Sequence, residues 1–359
     1  MRCGRLRMAT AFAAGVIVVA VVIAGCASSA PTPRTSPAHR STGLDVAGYV
    51  VPWDSRSSIG AGGGVLAEVN PVWFQPNQAG AVVYTPDVEK SSTATVTSHA
   101  AQEGVVLAPS ISNFVNGRWD GALVAAIIAD PARRSDHVAA ITNLVRSHHW
   151  AAIDIDYESL PATSRAAFSA FITELAAALH RVPANLSLTV HAKTSEPGDW
   201  AGAQAQDWRA LGAAADEVRV MAYDFSNNAT AAGPIAPVPW VGQVLRLATA
   251  LIPLKKIVLG LPTYGYDWSD GAATSDLQWA DASALAHAHH TTPQWDAASS
   301  SPWFRYRDDH GRSHTVWYAN ARSLAAELAL ARRDGVSRFV LWRLGGEDPA
   351  IWPILRGQQ

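Results

Sequence analysis

Ile153-Asp154-Ile155-Asp156-Tyr157-Glu158 alternates apolar and acidic residues at the two-residue period of a β-strand, which puts all three carboxylates on one face. The other face carries Ile153, Ile155 and Tyr157, and the run follows Trp150-Ala151-Ala152, so the strand is expected inside the fold. At a rise of roughly 3.3 Å per residue, same-face neighbours stand about 7 Å apart. Carboxylates crowded together and partly desolvated raise one another's pKa values, and the crowding is costly unless they are paired or share protons. A fold keeps such an arrangement mainly where chemistry needs it. The alternative is a solvated acidic edge strand, against which the apolar face argues.

Working outward from this run, short apolar stretches recur, each followed by polar or Gly/Pro residues and then a helical pattern. They are Val46 to Val51, Val69 to Phe74, Val105 to Pro109, Ala151 to Glu158, Leu186 to His191, Val218 to Asp224, Ile257 to Pro262 and Phe339 to Leu344. Helical periodicity falls between them, as in Asp136 to His149, Ser164 to His180 and Val241 to Leu251. Eight strands alternating with helices predict an α/β fold of the (β/α)8 TIM-barrel kind. In that fold the C-terminal strand ends carry the active site, and Asp156, Glu158, Tyr223 and Asp224 all lie at such ends. The interval from Pro262 to Phe339 is too long for one crossover. Residues 267–318, with Trp268, Trp279, Trp295, Trp303, Trp317 and the turn Asp308-Asp309-His310-Gly311, read as a small subdomain inserted between strands 7 and 8 on the catalytic face. The alternative is an elaborated loop with its own small core.

A hydrophobic content of 48% with 16% charged residues describes a chain with a large core, and the formal net charge of −2 offers no electrostatic footprint for nucleic acid or an anionic membrane. The 14 tryptophans are many for this length; most are expected in the core, and some are candidate stacking platforms for sugars. Residues 1–26 are read as a leader: Arg2, Arg5 and Arg7 precede an apolar run from Met8 to Gly25, and Ile23-Ala24-Gly25-Cys26 reads as a lipobox with Cys26 as the lipidated residue. An uncleaved membrane anchor is the other reading, since about 18 apolar residues just span a bilayer. Both place the domain outside the cytoplasm. Residues 27–43, rich in Ala, Ser, Pro and Thr, read as a disordered tether, leaving 44–359 as the barrel. With Cys3 in the leader and Cys26 lipidated, cysteine nucleophiles and cysteine metal sites are excluded from the domain. His287, His289 and His290 lie on an Ala-rich helical pattern and read as a surface face, so no metal and no cofactor is expected. Gly62-Gly63-Gly64 lacks the strand and helix context of a nucleotide loop.

The chain resembles the family-18 glycoside hydrolases, the chitinase-like barrels, from about Gly43 to its end. Asp154-Ile155-Asp156-Tyr157-Glu158 is similar to the family's DxDxE signature on strand four, Met221-Ala222-Tyr223-Asp224 to its strand-six motif, Leu259-Gly260-Leu261-Pro262-Thr263-Tyr264-Gly265 to strand seven, and Trp342 to a strand-eight tryptophan. Within the family, Gly233-Pro234-Ile235-Ala236-Pro237, Pro262 to Trp268 and Leu344-Gly345-Gly346-Glu347-Asp348-Pro349 look like the spore-cortex and cell-wall branch, whose members are N-acetylglucosaminidases acting on peptidoglycan. Two departures stand out. The family's strand-four signature usually begins Asp-Gly, where this chain has Ala151 and Ala152, which lowers the turnover expected of the carboxylate relay. The strand-three motif SxGG is replaced by Ser110-Ile111-Ser112-Asn113.

The resemblance implies a substrate-assisted mechanism, which is this family's exception to the two-carboxylate scheme. Glu158 would be the general acid; the substrate's own acetamido oxygen would attack the anomeric carbon; Asp156 would accept the acetamido N–H; Asp154 would lie behind it and share a proton. Tyr223 would hold the acetamido oxygen and Trp342 would floor the reacting sugar. Asp224, Met221, Tyr49, Tyr264 and Trp268 complete the substrate-binding positions so implied. The expected function is hydrolysis of β-1,4-linked N-acetylglucosamine-containing glycans, peptidoglycan first, by a monomer that meets the membrane through its lipid anchor only. A catalytically silent lectin-like lipoprotein and a true chitinase are the other readings, and the presence of Glu158 argues against the lectin.

Overall fold

The computed structural model describes residues 44–358 apart from 57, 58, 63 and 272; the expected leader, its Cys26 and the tether lie outside the described residues. Among the described residues no helix is long and apolar enough to cross a membrane.

The eight predicted runs form eight barrel strands: β1 (Asp45–Val50), β2 (Leu66–Pro76), β3 (Ser110–Ser112), β4 (Ala152–Asp156), β5 (Asn185–His191), β6 (Glu217–Met221), β7 (Ile257–Pro262) and β8 (Arg338–Trp342). Each pairs in parallel with the next, and β8 pairs with β1 to close the ring. Closure removes every edge among the eight, which answers the aggregation hazard of an open sheet. Several boundaries differ from the sequence reading. β4 stops at Asp156 and β6 at Met221, so Glu158, Tyr223 and Asp224 stand on the loops just beyond the strand ends. The third run is broken into Val106–Leu107 and Ser110–Ser112, because Pro109 cannot donate to a ladder.

Period two divides every strand between two environments. On β4, Ile153 and Ile155 are fully buried in the outer core with Phe168 and Phe171 of a surrounding helix (Arg165–His180). Asp154 and Asp156 are buried too but point the other way, into the barrel. The barrel interior is itself two-sided. Ala47 and Tyr49 of the first strand and Val51 just after it pack with Val72, Val258 and Val340 as an apolar patch, with Trp342 against it. Facing them, Ser110, Asp154, Ser187, Thr189 and Arg219 form a buried polar side joined by hydrogen bonds and ion pairs. Arg219, 1% exposed, pairs through Nη2 with Glu68 and Glu217, and Arg338 ties Glu217 to Asp45. Ala151, the position where the resemblance led one to expect an aspartate, is exposed at the foot of β4. It lies five residues, about 16 Å, from Asp156. At that distance a side chain at 151 does not touch the Asp156 carboxyl.

Between β7 and β8 the chain builds a five-stranded antiparallel sheet in the spatial order Ser275–Gln278, Tyr264–Ser269, Ser313–Tyr318, Ser301–Arg307 and Gln294–Asp296, with a helix over Trp279–Ala288. Its first strand starts at Tyr264, only one residue after β7 ends. The sheet owns a core of Leu277, Ala282, Ala286, Phe304, Val316 and Tyr318.

Candidate active site

The site is built from β4 outward. Asp154 sits in the middle of the strand, fully buried, and each of its oxygens is occupied. Ser110 (2.8 Å) and Tyr49 (3.0 Å) donate hydroxyls to Oδ2, Ser187 donates to Oδ1 at 2.9 Å, and Arg219 approaches Oδ1 at 3.7 Å. The hydroxyl donors come from β1, β3 and β5 and the guanidinium from β6, so one carboxylate gathers side chains from four strands. A buried carboxylate is tolerated because hydroxyls and a guanidinium replace its water. Two residues on, Asp156 is nearly as buried, but its Oδ1 has no partner at all. Burial pushes the Asp156 carboxyl well above the ordinary range, the Asp154 charge adds to that, and Arg219 opposes it. The proton sharing expected between the two aspartates is not shown: no hydrogen bond joins them among the described residues, and Asp154 is bonded to hydroxyls instead.

Glu158 follows, held by its backbone rather than its side chain. Asn113, wholly buried just past β3, accepts from the Glu158 N–H at 2.8 Å and donates to its carbonyl at 2.9 Å. The next residue, Ser159, turns in the left-handed region at φ 55°, and Gly121 packs beneath it. Burial drives the Glu158 carboxyl well above its ordinary range, with the charges of Asp156 and Asp224 pushing the same way. A carboxylic acid kept protonated near neutrality is what general acid catalysis requires. Asp224, past the end of β6, is itself raised by burial, against which the hydroxyls of Tyr264 and Tyr266 (3.0 Å) stabilise its charge.

These groups open into one cleft of about 580 Å³, within the range of ligand pockets. Asp156, Glu158, Tyr223, Asp224, Met221, Tyr49 and Trp342 all line it. Tyr49 contributes its ring, which meets Trp342 edge to face at 5.2 Å, while its hydroxyl is committed to Asp154. Two expected sugar contacts do not reach the cleft. Tyr264 spends its hydroxyl on Asp224, and Trp268 turns its indole N–H onto the carbonyls of Asn227 (3.2 Å) and Thr230 (3.0 Å), bracing the loop after β6. The other tryptophans of the inserted sheet are also structural: Trp303 stacks on Trp317 at 5.6 Å, Trp295 lies 3.8 Å from the Arg322 guanidinium, and Trp279 covers the sheet's core. The cleft's aromatic platforms are Trp119, Trp200, Phe225, Trp240 and Trp342.

Sequence reasoning missed Asn113, His191, Lys193, Trp119, Trp200 and Trp240. His191 carried a usable signal, because it is the last residue of β5 and therefore stands at a C-terminal strand end. Trp119 carried none, since it belongs to a two-residue hairpin (Phe114–Val115 with Arg118–Trp119) too short to have a period.

Comparison with known proteins agrees with this geometry. The model of the glycosyl hydrolases of family 18 matches residues 87–347. The cortical fragment-lytic enzyme of Bacillus subtilis (strain 168) is 27% identical over 292 residues, covering 79% of this chain and 66% of that protein. Among solved structures, a chitinase from Chromobacterium violaceum superposes with a TM-score of 0.81 at 29% identity, over 88% of this chain and 98% of that one. The spore cortex-lytic enzyme SleL of Bacillus cereus shares the fold, with a TM-score of 0.79 at 24% identity over 88% of this chain and 74% of that one. The chain spans 60–73% of the length of the curated Bacillus relatives it matches. The family match covers most of the chain and runs from before β3 to beyond β8, so six of the eight barrel strands and the carboxylates Asp154, Asp156 and Glu158 fall within it, and the chain belongs to family 18 of the glycosyl hydrolases.

Proposed function

We propose that this protein is a glycosidase that cleaves β-1,4-linked N-acetylglucosamine-containing glycans, peptidoglycan in particular, with the substrate's acetamido group as nucleophile and retention at the anomeric carbon. The observation that carries this reading is the unpartnered, buried Oδ1 of Asp156 in a cleft shared with Glu158, Tyr223 and Trp342. A buried acceptor left without a donor costs about 1–3 kcal/mol. An acetamido N–H arriving with the substrate would satisfy it and hold the amide oxygen toward the anomeric carbon.

In the first step Glu158 gives its proton to the glycosidic oxygen as the C–O bond breaks, and the acetamido oxygen closes on the anomeric carbon to form an oxazolinium ion. Asp156 accepts the amide N–H and balances the positive charge that develops. Tyr223 donates to the acetamido group, and Trp342 supplies an apolar face beneath the ring. In the second step Glu158, now ionised, takes a proton from water as the water opens the ring from the face the leaving group vacated. Two displacements give retention.

Peptidoglycan is favoured by the likeness to a cortical fragment-lytic enzyme and by the expected lipid tether at Cys26, which would confine the domain to the wall side of the membrane. The likeness to a chitinase supports chitin as the second reading. Mass analysis of products released from purified peptidoglycan and from chitin oligomers distinguishes them, with Glu158→Gln as the control. Glutamine keeps the shape but has no proton to give, so kcat is expected to fall about 10²–10⁴-fold. A variant keeping a tenth of wild-type kcat on both substrates overturns the role of Glu158.

A further inference from the structure

The C-terminal end of β5 places a histidine beside the acid, and its ring is held by several neighbours. His191 is 7% exposed, lines the cleft, and packs edge to face on Trp200 at 4.4 Å. Its backbone N–H is taken by Gln206 at 2.7 Å, and Gln206 also donates to the Tyr157 carbonyl at 3.4 Å, so the ends of β4 and β5 are tied through one amide. The ring's Nε2 accepts the backbone N–H of Ser159 at 3.3 Å. A nitrogen that accepts cannot also carry the proton of a neutral imidazole, so the proton is on Nδ1. That Nδ1–H faces Glu158 Oε2 at 3.6 Å, an approach just longer than a hydrogen bond. Catalytic hydrogen bonds are often long in the unliganded state and tighten around substrate.

We infer that His191 is a positioning residue for the acid: its Nδ1–H binds Glu158 Oε2, leaving Oε1 as the oxygen that carries the proton and presents it to the glycosidic oxygen. The inference rests on Glu158 being the general acid. It goes beyond that role in saying which oxygen acts and what orients it. Because Oε2 is the acceptor, the carboxylate formed by proton donation is born with a hydrogen bond already in place, and the same bond holds Glu158 while it deprotonates water in the second step. The role requires an uncharged ring, since an imidazolium here would pull the Glu158 pKa down and discharge the acid too early. Burial, followed by the nearby charge of Lys193, holds the His191 pKa down to about 3. Lys193 has no exposed side-chain surface and is itself anchored, on the carbonyl of Gln206 at 2.6 Å and on Glu196 at 2.8 Å. The charged or titratable groups facing Glu158 from the surrounding elements are Asp156 on β4, His191 at the end of β5 with Lys193 just after it, and Tyr223 and Asp224 after β6; Asp199 lines the same cleft.

The test compares His191→Leu with His191→Asn on chitin oligomers or peptidoglycan, with Glu158→Gln alongside. Asparagine can put an amide N–H where Nδ1–H stands, and leucine cannot. With leucine, kcat is expected to fall about 10- to 100-fold, the scale of a lost hydrogen bond to a charged group. The alkaline limb of the pH–kcat/KM profile should also move to higher pH, because an ionised Glu158 has lost a donor. Asparagine should restore kcat to within about threefold and return the limb to its wild-type position. If leucine leaves kcat and the alkaline limb unchanged, or if both variants lose activity equally with an unmoved limb, His191 is only packing and the inference is overturned. A Glu158→Gln variant that retains activity fails the acid assignment instead, which keeps the two failures apart.

Discussion

At the scale of single residues, two aspartates two positions apart on one strand are given opposite environments. Asp154 is enclosed by Ser110, Tyr49, Ser187 and Arg219, whereas Asp156 has a bare oxygen and a raised pKa. The alternation of residues 153–158 made it legible that three carboxylates share one face. It could not show which of them is satisfied, because the hydroxyls that decide this arrive from positions 105 and 44 residues upstream and 33 downstream. Glu158 titrates under the influence of burial, then Asp156, then Asp224. The active form needs Glu158 protonated, so kcat/KM falls on the alkaline side as this group ionises. Asp224→Asn removes a neighbouring negative charge and makes the ionised form of Glu158 easier to reach, so its pKa falls. The alkaline limb is therefore expected to shift to lower pH, which a pH–rate profile on a chromogenic N-acetylglucosamine oligomer measures. A limb that stays in place or moves up would show that Asp224 does not act on Glu158.

At the scale of elements, the loops after the strands do what the strands cannot. The helix Gly121–Ala129 is capped by Asp120, whose side chain accepts the Leu123 N–H at 3.0 Å, and its first residue lies against the turn that follows the acid. A Cβ on Gly121 would stand 1.9 Å from the Ser159 carbonyl oxygen, which is backbone and cannot swing aside. Gly121→Ala should therefore push the 158–160 turn out of place, costing about 1–3 kcal/mol in stability as an overpacked site. It should lower kcat more than a loss of stability alone explains. Thermal unfolding with parallel kinetics checks this, and a variant with wild-type Tm and kcat would contradict the close packing. Helix-to-strand alternation was readable over most of the chain because each element spans several repeats of its period. The tryptophans of residues 267–318 were misleading for a physical reason. An indole is equally suited to a sugar platform and to a small core, and composition cannot tell a sheet that packs its own aromatics from one that presents them.

At the scale of the whole molecule, the barrel interior is divided between an apolar side, with Trp342 upon it, and a hydrogen-bonded polar side that bears Asp154 and Asp156. A reacting sugar needs both: an apolar face under its ring and charge beside its anomeric carbon. The eight-strand order was legible from the spacing of apolar runs, while the lining of that cleft by residues from four different connections was not. The tethered placement of the molecule at the cell surface is our proposal, and it depends on Cys26. Cys26→Ser should leave the protein without lipid, either released or retained as a longer precursor; an unchanged membrane fraction and mature mass would refute the anchor. The central proposal is that the nucleophile belongs to the substrate. It is tested most directly by measuring hydrolysis of an N-acetylglucosamine oligomer against the same oligomer de-N-acetylated at the sugar whose bond is cut. With the acetamido oxygen as nucleophile the first is cleaved with retention, the second is essentially inert, and a thiazoline resembling the oxazolinium intermediate inhibits. Comparable cleavage of both, or a glycosyl ester trapped on Asp156 or Glu158, would mean that a protein carboxylate is the nucleophile and would contradict the proposal.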